Sequence, residues 1–127
     1  MKAIVCKKYG PAENLEIVEY KNPIPKDDEV LIRIYATSVT NSDIFIRSSD
    51  VPIRMLIPFR LMIGLLRPRN EILGEVFSGV IEKTGAGIKR FKAGDQVYGL
   101  TGMSLGAYAE YKCMKEIDSK KGCIAIK

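Results

Sequence analysis

The run from Val30 to Thr37 constrains the fold more than any other part of the chain. Val30, Ile32, Ile34 and Ala36 fall on one side of an extended backbone, and Leu31, Arg33, Tyr35 and Thr37 on the other. Successive side chains of a strand point to opposite faces, so this alternation predicts a central strand with one dry face. Shorter β-prone runs precede it. Lys2 to Lys8 ends in the turn cluster Tyr9-Gly10-Pro11, Asn14 to Tyr20 follows, and Asn22-Pro23-Ile24-Pro25 breaks the chain. Further along, Ile72 to Lys83, Gln96 to Leu100 and Gly106 to Cys113 read as strands, separated by turns at Thr84-Gly85-Ala86-Gly87 and Lys92-Ala93-Gly94-Asp95. Gly74 and Gly79 sit inside the first of these, as at a bulge or a close backbone approach. Short strands joined by glycine turns predict a mainly β chain with short helices, a small barrel rather than a βαβ sheet.

Two segments change period. At Thr40-Asn41-Ser42-Asp43, residues able to cap a helix precede Ile44-Phe45-Ile46, which predicts one or two helical turns ending by Ser49. Between Pro52 and Arg69, Met55, Phe59, Met62 and Leu66 share one helical side, with Leu56 and Ile63 beside them, and Arg60, Gly64 and Arg67 share the other. Pro58 is comfortable only in a first turn, so the expected helix runs from about 58 to 66, with Pro68 ending it. Its simplest reading is an amphipathic lid over the core. The alternative is attraction of a membrane surface, through Arg54 to Arg67, or of an anionic ligand.

Composition narrows the chemistry. The 127 residues suffice for one compact domain, 1–127, and include no histidine. That excludes Ser-His-Asp and Cys-His nucleophilic catalysis and His-ligated zinc. Cys6, Cys113 and Cys123 are odd in number and share no CxxC spacing, which argues against a structural zinc site or a disulfide framework. Free thiols, and no apolar signal segment behind Met1, point to a reducing, cytoplasmic setting. The net charge is +5, and Arg54, Arg60, Arg67 and Arg69 supply most of it in a segment without acids. The lysines are scattered among acids, so no nucleic-acid-binding face is expected. The longest apolar stretch is cut by Arg54 and Arg60 and is too short to span a bilayer.

Three polar features are candidates for function. Gly85-Ala86-Gly87 follows a strand, but Arg90 stands where a dinucleotide fingerprint needs its third glycine, so a plain turn is expected. Thr40, Asn41, Ser42 and Asp43 are either helix caps alone or hydroxyls at a strand-to-helix junction facing a ligand carbonyl. Glu75, in the apolar run Ile72-Leu73-Gly74-Glu75-Val76-Phe77, is either on a solvated face or a buried carboxylate with a raised pKa.

Several motifs carry a family resemblance. Met1-Lys2-Ala3-Ile4-Val5, Pro25 to Ile34, Ala36 to Asp43, Ile72-Leu73-Gly74, Phe77 to Ile81, Phe91 to Gly99 and Gly106 to Tyr111 occur in order along nearly the whole chain. Together they resemble the start of a medium-chain dehydrogenase/reductase, in the zinc-independent quinone oxidoreductase (zeta-crystallin-like) branch. The resemblance implies a GroES-like, partly open β-barrel that forms the catalytic domain. Relatives continue into a Rossmann domain and then return, so this chain is expected to be part of a longer enzyme and inactive by itself.

The resemblance also implies roles. In the zinc-dependent branch a cysteine ligand stands at the place of Thr40 and a histidine ligand at that of Glu75; neither is present, so no zinc is expected. Ser42 matches a proton-relay hydroxyl, with Thr40 beside it, and Asn41 and Glu75 are implied near the cofactor or substrate. The implied cofactor is NADPH or NADH, held mainly by the absent Rossmann domain. The implied substrate is a quinone, enone or related carbonyl compound. The rival expectation is a non-enzymatic GroES-like module that self-associates as a homodimer or binds a partner through exposed apolar surface.

Overall fold

The computed structural model describes residues 1–49, 52–116 and 123–126. β1 (Lys2–Cys6) and β2 (Leu15–Glu19) form an antiparallel hairpin, joined through a short 3-10 turn at Ala12–Asn14. β3 (Glu29–Ser38) leads into α1 (Asn41–Ser48) and α2 (Ile53–Ile63). β4 (Val76–Thr84), β5 (Gln96–Leu100), β6 (Tyr111–Lys115) and β7 (Cys123–Ile126) then complete a five-stranded sheet in the order β6-β3-β4-β5-β7. Every pairing in both sheets is antiparallel. The architecture is therefore mainly β with two short helices and open sheets that do not close into a barrel. No βαβ unit, and so no Rossmann fold, occurs among the described residues.

The core lies on one face of the larger sheet. Val30 and Ile32 of β3, Phe77 and Ile81 of β4, Val97 of β5, Met114 of β6 and Ile124 of β7 pack there with Phe91 and Ala107. The expected dry face of β3 holds from Val30 to Ile34 and then fails, because Ala36 is exposed. The pairing with β4 slips between Ile34 and Ala36, opposite Gly79. A Cβ on Gly79 would lie 2.1 Å from the Arg33 carbonyl oxygen, so only glycine admits this approach. The other face is not wholly wet: Leu31 is buried and shares a small depression with Asn22, Pro23 and Ile24. The hairpin is tied to the rest by backbone bonds from Ile4 N to Tyr108 O at 2.8 Å and from Cys6 N to Glu71 O at 2.7 Å.

Two predicted strands are shorter than their sequence pattern. Pairing begins at Val76 rather than Ile72, and at Tyr111 rather than Gly106. Ile72 and Ala109 instead make isolated bridges to Val5 and Ala3.

The second helix corrects the sequence expectation in three ways. It begins at Ile53, not near residue 58, and Pro58 lies inside it. Pro58 and Arg54, the residue whose carbonyl it cannot serve, are both exposed. It ends at Gly64, before Pro68 is reached, with φ at 132° and a virtual Cβ 2.0 Å from the Arg67 carbonyl oxygen. Its inward side is Leu56, Phe59, Arg60 and Ile63, while Met55 and Met62 are exposed. Arg60 faces inward because its charge is served there. It lies 4.2 Å from the Tyr9 ring centroid and donates to Ser49 Oγ at 2.9 Å and Leu65 O at 3.0 Å.

Candidate active site

The site is built where β3 hands over to α1. Thr40 is the N-cap of α1, and a reciprocal capping box forms with Asp43. Thr40 Oγ1 accepts from Asp43 N at 3.3 Å, and Thr40 N donates back to Asp43 Oδ2 at 3.0 Å. This local chemistry fixes the first turn and thereby the direction of Ser42, its second residue. The helix ends as expected at Ser49, which takes the left-handed conformation at φ 54°.

Asp43 is the buried centre of this junction, only 3 % exposed. Its Oδ2 also accepts from Thr40 Oγ1 at 3.0 Å and from Tyr108 OH at 2.9 Å, whereas Oδ1 has no partner. Burial, and next the hydrogen bond to the Asp43 carboxylate, push the Tyr108 phenol well above its ordinary range, so it stays a donor. Thr40 Oγ1 also lies 3.4 Å from Glu75 Oε2, so one hydroxyl stands between two carboxylates.

Glu75 is half-buried and belongs to a cleft of about 520 Å³ between the two helices, the segment before β4 and the turn at 102–105. Ser42 and Glu75 line it with Arg69 and Asn70, and Ile46, Ile63 and Leu105 supply apolar wall. The backbone at Glu75 is clamped by Thr101, whose N–H donates to Glu75 O at 2.7 Å and whose buried hydroxyl donates to Gly74 O at 2.9 Å. A larger depression of about 880 Å³ lies across Pro68 to Asn70, lined by Tyr20, Leu65, Leu66 and Glu71. It is more open and contains none of the predicted site residues, so the smaller cleft is the better candidate.

Of the predicted residues, the fold brings Ser42 and Glu75 together in one cleft. Thr40 sits behind them as cap and bridge, and Asn41 is exposed at the start of α1, outside the cleft lining. Sequence reasoning missed Tyr108 and Thr101 as supports of the site. Neither carries a local signal, since each acts through a partner remote in the chain. The Gly85-Ala86-Gly87 segment is a turn whose two glycine amides are spent internally: Gly85 N donates to Glu29 O and Gly87 N to Asp27 O, each at 2.8 Å. Those two amides are not available to cradle a pyrophosphate.

The described residues of the cleft do not offer the ligand set of a zinc ion. Thr40 is committed to the helix cap, which leaves Glu75 as the one carboxylate lining the cleft. Among the described residues no three His, Cys, Asp or Glu side chains gather as a cation would require.

Comparison with known proteins agrees with this geometry. The alcohol dehydrogenase GroES-like domain family matches residues 26–123. Quinone oxidoreductase of Sus scrofa is 33% identical over 112 residues, which cover 87% of this chain and 30% of that protein. The Homo sapiens quinone oxidoreductase is 31% identical over 132 residues, covering 96% and 36%. The crystal structure of Escherichia coli quinone oxidoreductase complexed with NADPH matches with a TM-score of 0.74 at 28% identity, over 99% of this chain and 33% of that one. The chain thus spans about a third of the length of these relatives. With fold, motif order and relatives in accord, the chain belongs to the alcohol dehydrogenase GroES-like domain family and is related to the quinone oxidoreductases among the medium-chain dehydrogenases/reductases.

Proposed function

We propose that this chain is the substrate side of a cytoplasmic NAD(P)H-dependent oxidoreductase that reduces quinones, enones or related carbonyl compounds without zinc. The observation that carries the reading is the meeting of Ser42 and Glu75 in one cleft, in a chain related to quinone oxidoreductases. Bound NADPH or NADH supplies a hydride to the electrophilic carbon of the substrate. The dinucleotide is gripped by a Rossmann domain outside these residues, so the 127 residues alone are inactive.

Ser42 donates a hydrogen bond to the substrate oxygen as negative charge builds there, in a helical first turn that favours that charge. Thr40, behind the cleft lining, keeps Glu75 in place, and Asn41 at the exposed start of α1 faces the approach of the nicotinamide from outside the cleft. Glu75 and Arg69 give the cleft one acidic and one basic side chain beside apolar walls, which suits a neutral carbonyl compound better than an ion. The test is oxidation of NADPH and NADH by the full-length native gene product with para-benzoquinone, an enone and an aldehyde. Turnover with at least one supports the reading; absence of turnover with all three removes it.

One observation favours a second reading. The far end of β3, β4 and β5 exposes an almost wholly apolar strip that includes Ala36, Tyr98 and Leu100. Such a strip suits a non-enzymatic module that self-associates. A tight dimer in sedimentation velocity, with no response to cofactor, would favour it over the enzyme.

A further inference from the structure

A helix that is apolar around most of its circumference is ordinarily buried, yet α2 has no buried residue. Its inward side is already used, with Leu56, Phe59, Arg60 and Ile63 half-buried. Its outward side presents Ile53, Ile57 and Leu61 at 87%, 69% and 56% exposure, and Leu65 and Leu66 extend the surface beyond the helix at 61% and 83%. Arg54 stands exposed within this patch, and Arg67 and Arg69 stand exposed at its C-terminal border. No aspartate or glutamate occurs between residues 51 and 70. Arg67 pairs with Glu71 across an exposed 3.3 Å contact, and Arg69 donates to the neutral carbonyl of Leu61. Arg60 is turned inward and takes no part.

We infer that this outer face of α2 docks on the surface of an anionic lipid bilayer. The aliphatic side chains enter the boundary between headgroups and acyl chains, and the arginine heads stay level with the lipid phosphates on their long stems. Eleven helical residues are too few to cross a bilayer, and no helix among the described residues is long and apolar enough to do so. Docking along the surface is the remaining geometry. A second copy of the chain is the poorer occupant, because its own patch would set arginine against arginine with no carboxylate from residues 51 to 70 to pair them. Met62 is exposed and also lines the cleft, so docking brings the cleft mouth to the lipid surface. The docking does not depend on the chemistry proposed above.

Co-sedimentation of the purified protein with lipid vesicles tests this. One set is phosphatidylcholine alone and the other phosphatidylcholine mixed with phosphatidylglycerol, each at about 0.1 M and about 0.5 M salt. The expected result is binding to the anionic vesicles at low salt, a several-fold smaller bound fraction at high salt, and little binding to phosphatidylcholine alone. Leu61→Asp and Arg54→Glu each lower the bound fraction several-fold, with circular dichroism confirming the retained fold. Equal binding to both vesicle types, binding to neither, or a Leu61→Asp protein that binds like wild type overturns the inference. So does a dimer that Leu61→Asp dissolves, because a second copy would then occupy the patch.

Discussion

Tyr108 donates its phenolic hydrogen to Oδ2 of Asp43 across 2.9 Å, joining the approach to β6 to the first turn of α1. The carboxylate is buried and takes all its donors on that one oxygen, so removing one is felt. Tyr108→Phe is expected to destabilise the protein by about 1–3 kcal/mol, the cost of leaving a buried polar group short of a partner. Urea unfolding followed by circular dichroism measures it. An unchanged midpoint would mean that Thr40 alone holds Asp43.

Gly79 fixes the register of β3 on β4. A methyl at this position would meet backbone atoms of Arg33, the oxygen at 2.1 Å and the carbonyl carbon at 3.0 Å, and backbone cannot swing aside as a side chain can. Gly79→Ala is therefore expected to cost more than about 2 kcal/mol. Thermal unfolding should show a clear fall in the midpoint, and amide exchange should quicken along Arg33 to Ala36. A variant as stable as wild type would show that the bulge has room that its geometry denies.

What the sequence reveals follows the reach of the interactions involved. The strand Val30 to Ile34 and the helix beginning after Thr40 were legible because alternation and a capping box are local. Ser42 and Glu75 are far apart in the chain, and only family resemblance joined them before the cleft did. Arg60 was misassigned to the outer side of α2 because its partner ring, Tyr9, belongs to the turn after β1. Its own helix holds no sign of that ring. Pro58 misled in the opposite direction: the local rule against an internal proline is real, but here the helix carries it among exposed residues. The Asp43–Tyr108 bond spans 65 residues and had no periodic signature.

Lys112 makes stability depend on pH. Burial lowers its pKa from 10.5 to about 8, more than the nearby Cys113 and Glu29 raise it. Below pH 8 both folded and unfolded chains carry the charge, and the fold bears the cost of burying it. Between about 8 and 10.5 the unfolded chain binds the extra proton, so this group makes stability rise with pH across that window. Lys112→Met is therefore expected to stabilise the protein by on the order of 2–3 kcal/mol at neutral pH, a gain that shrinks towards nothing near pH 10.5. Cys113 works the other way, because burial raises its thiol to about 11. The difference between variant and wild type, measured by urea unfolding from pH 7 to 10.5, isolates the lysine. A pH-independent difference would assign the effect to packing.

Ser42 and Glu75 can be separated by the kind of defect each produces. Ser42 is exposed on α1 and its hydroxyl makes no hydrogen bond among the described residues, so Ser42→Ala should change stability by less than about 0.5 kcal/mol. If its hydroxyl meets charge that grows on the substrate oxygen, the loss falls on kcat, by about tenfold to a hundredfold, with KM little changed. Glu75 touches the cleft while Thr40 Oγ1 lies 3.4 Å from its carboxylate. Glu75→Gln keeps the shape and removes the charge, so anionic quinones should be accepted better than by wild type, while neutral quinones lose comparatively little. Steady-state kinetics of the full-length native gene product, with one neutral and one carboxylated quinone, read both effects. Equal losses for the two substrates in Glu75→Gln would strip that carboxylate of a selective role and leave it as a partner of Thr40.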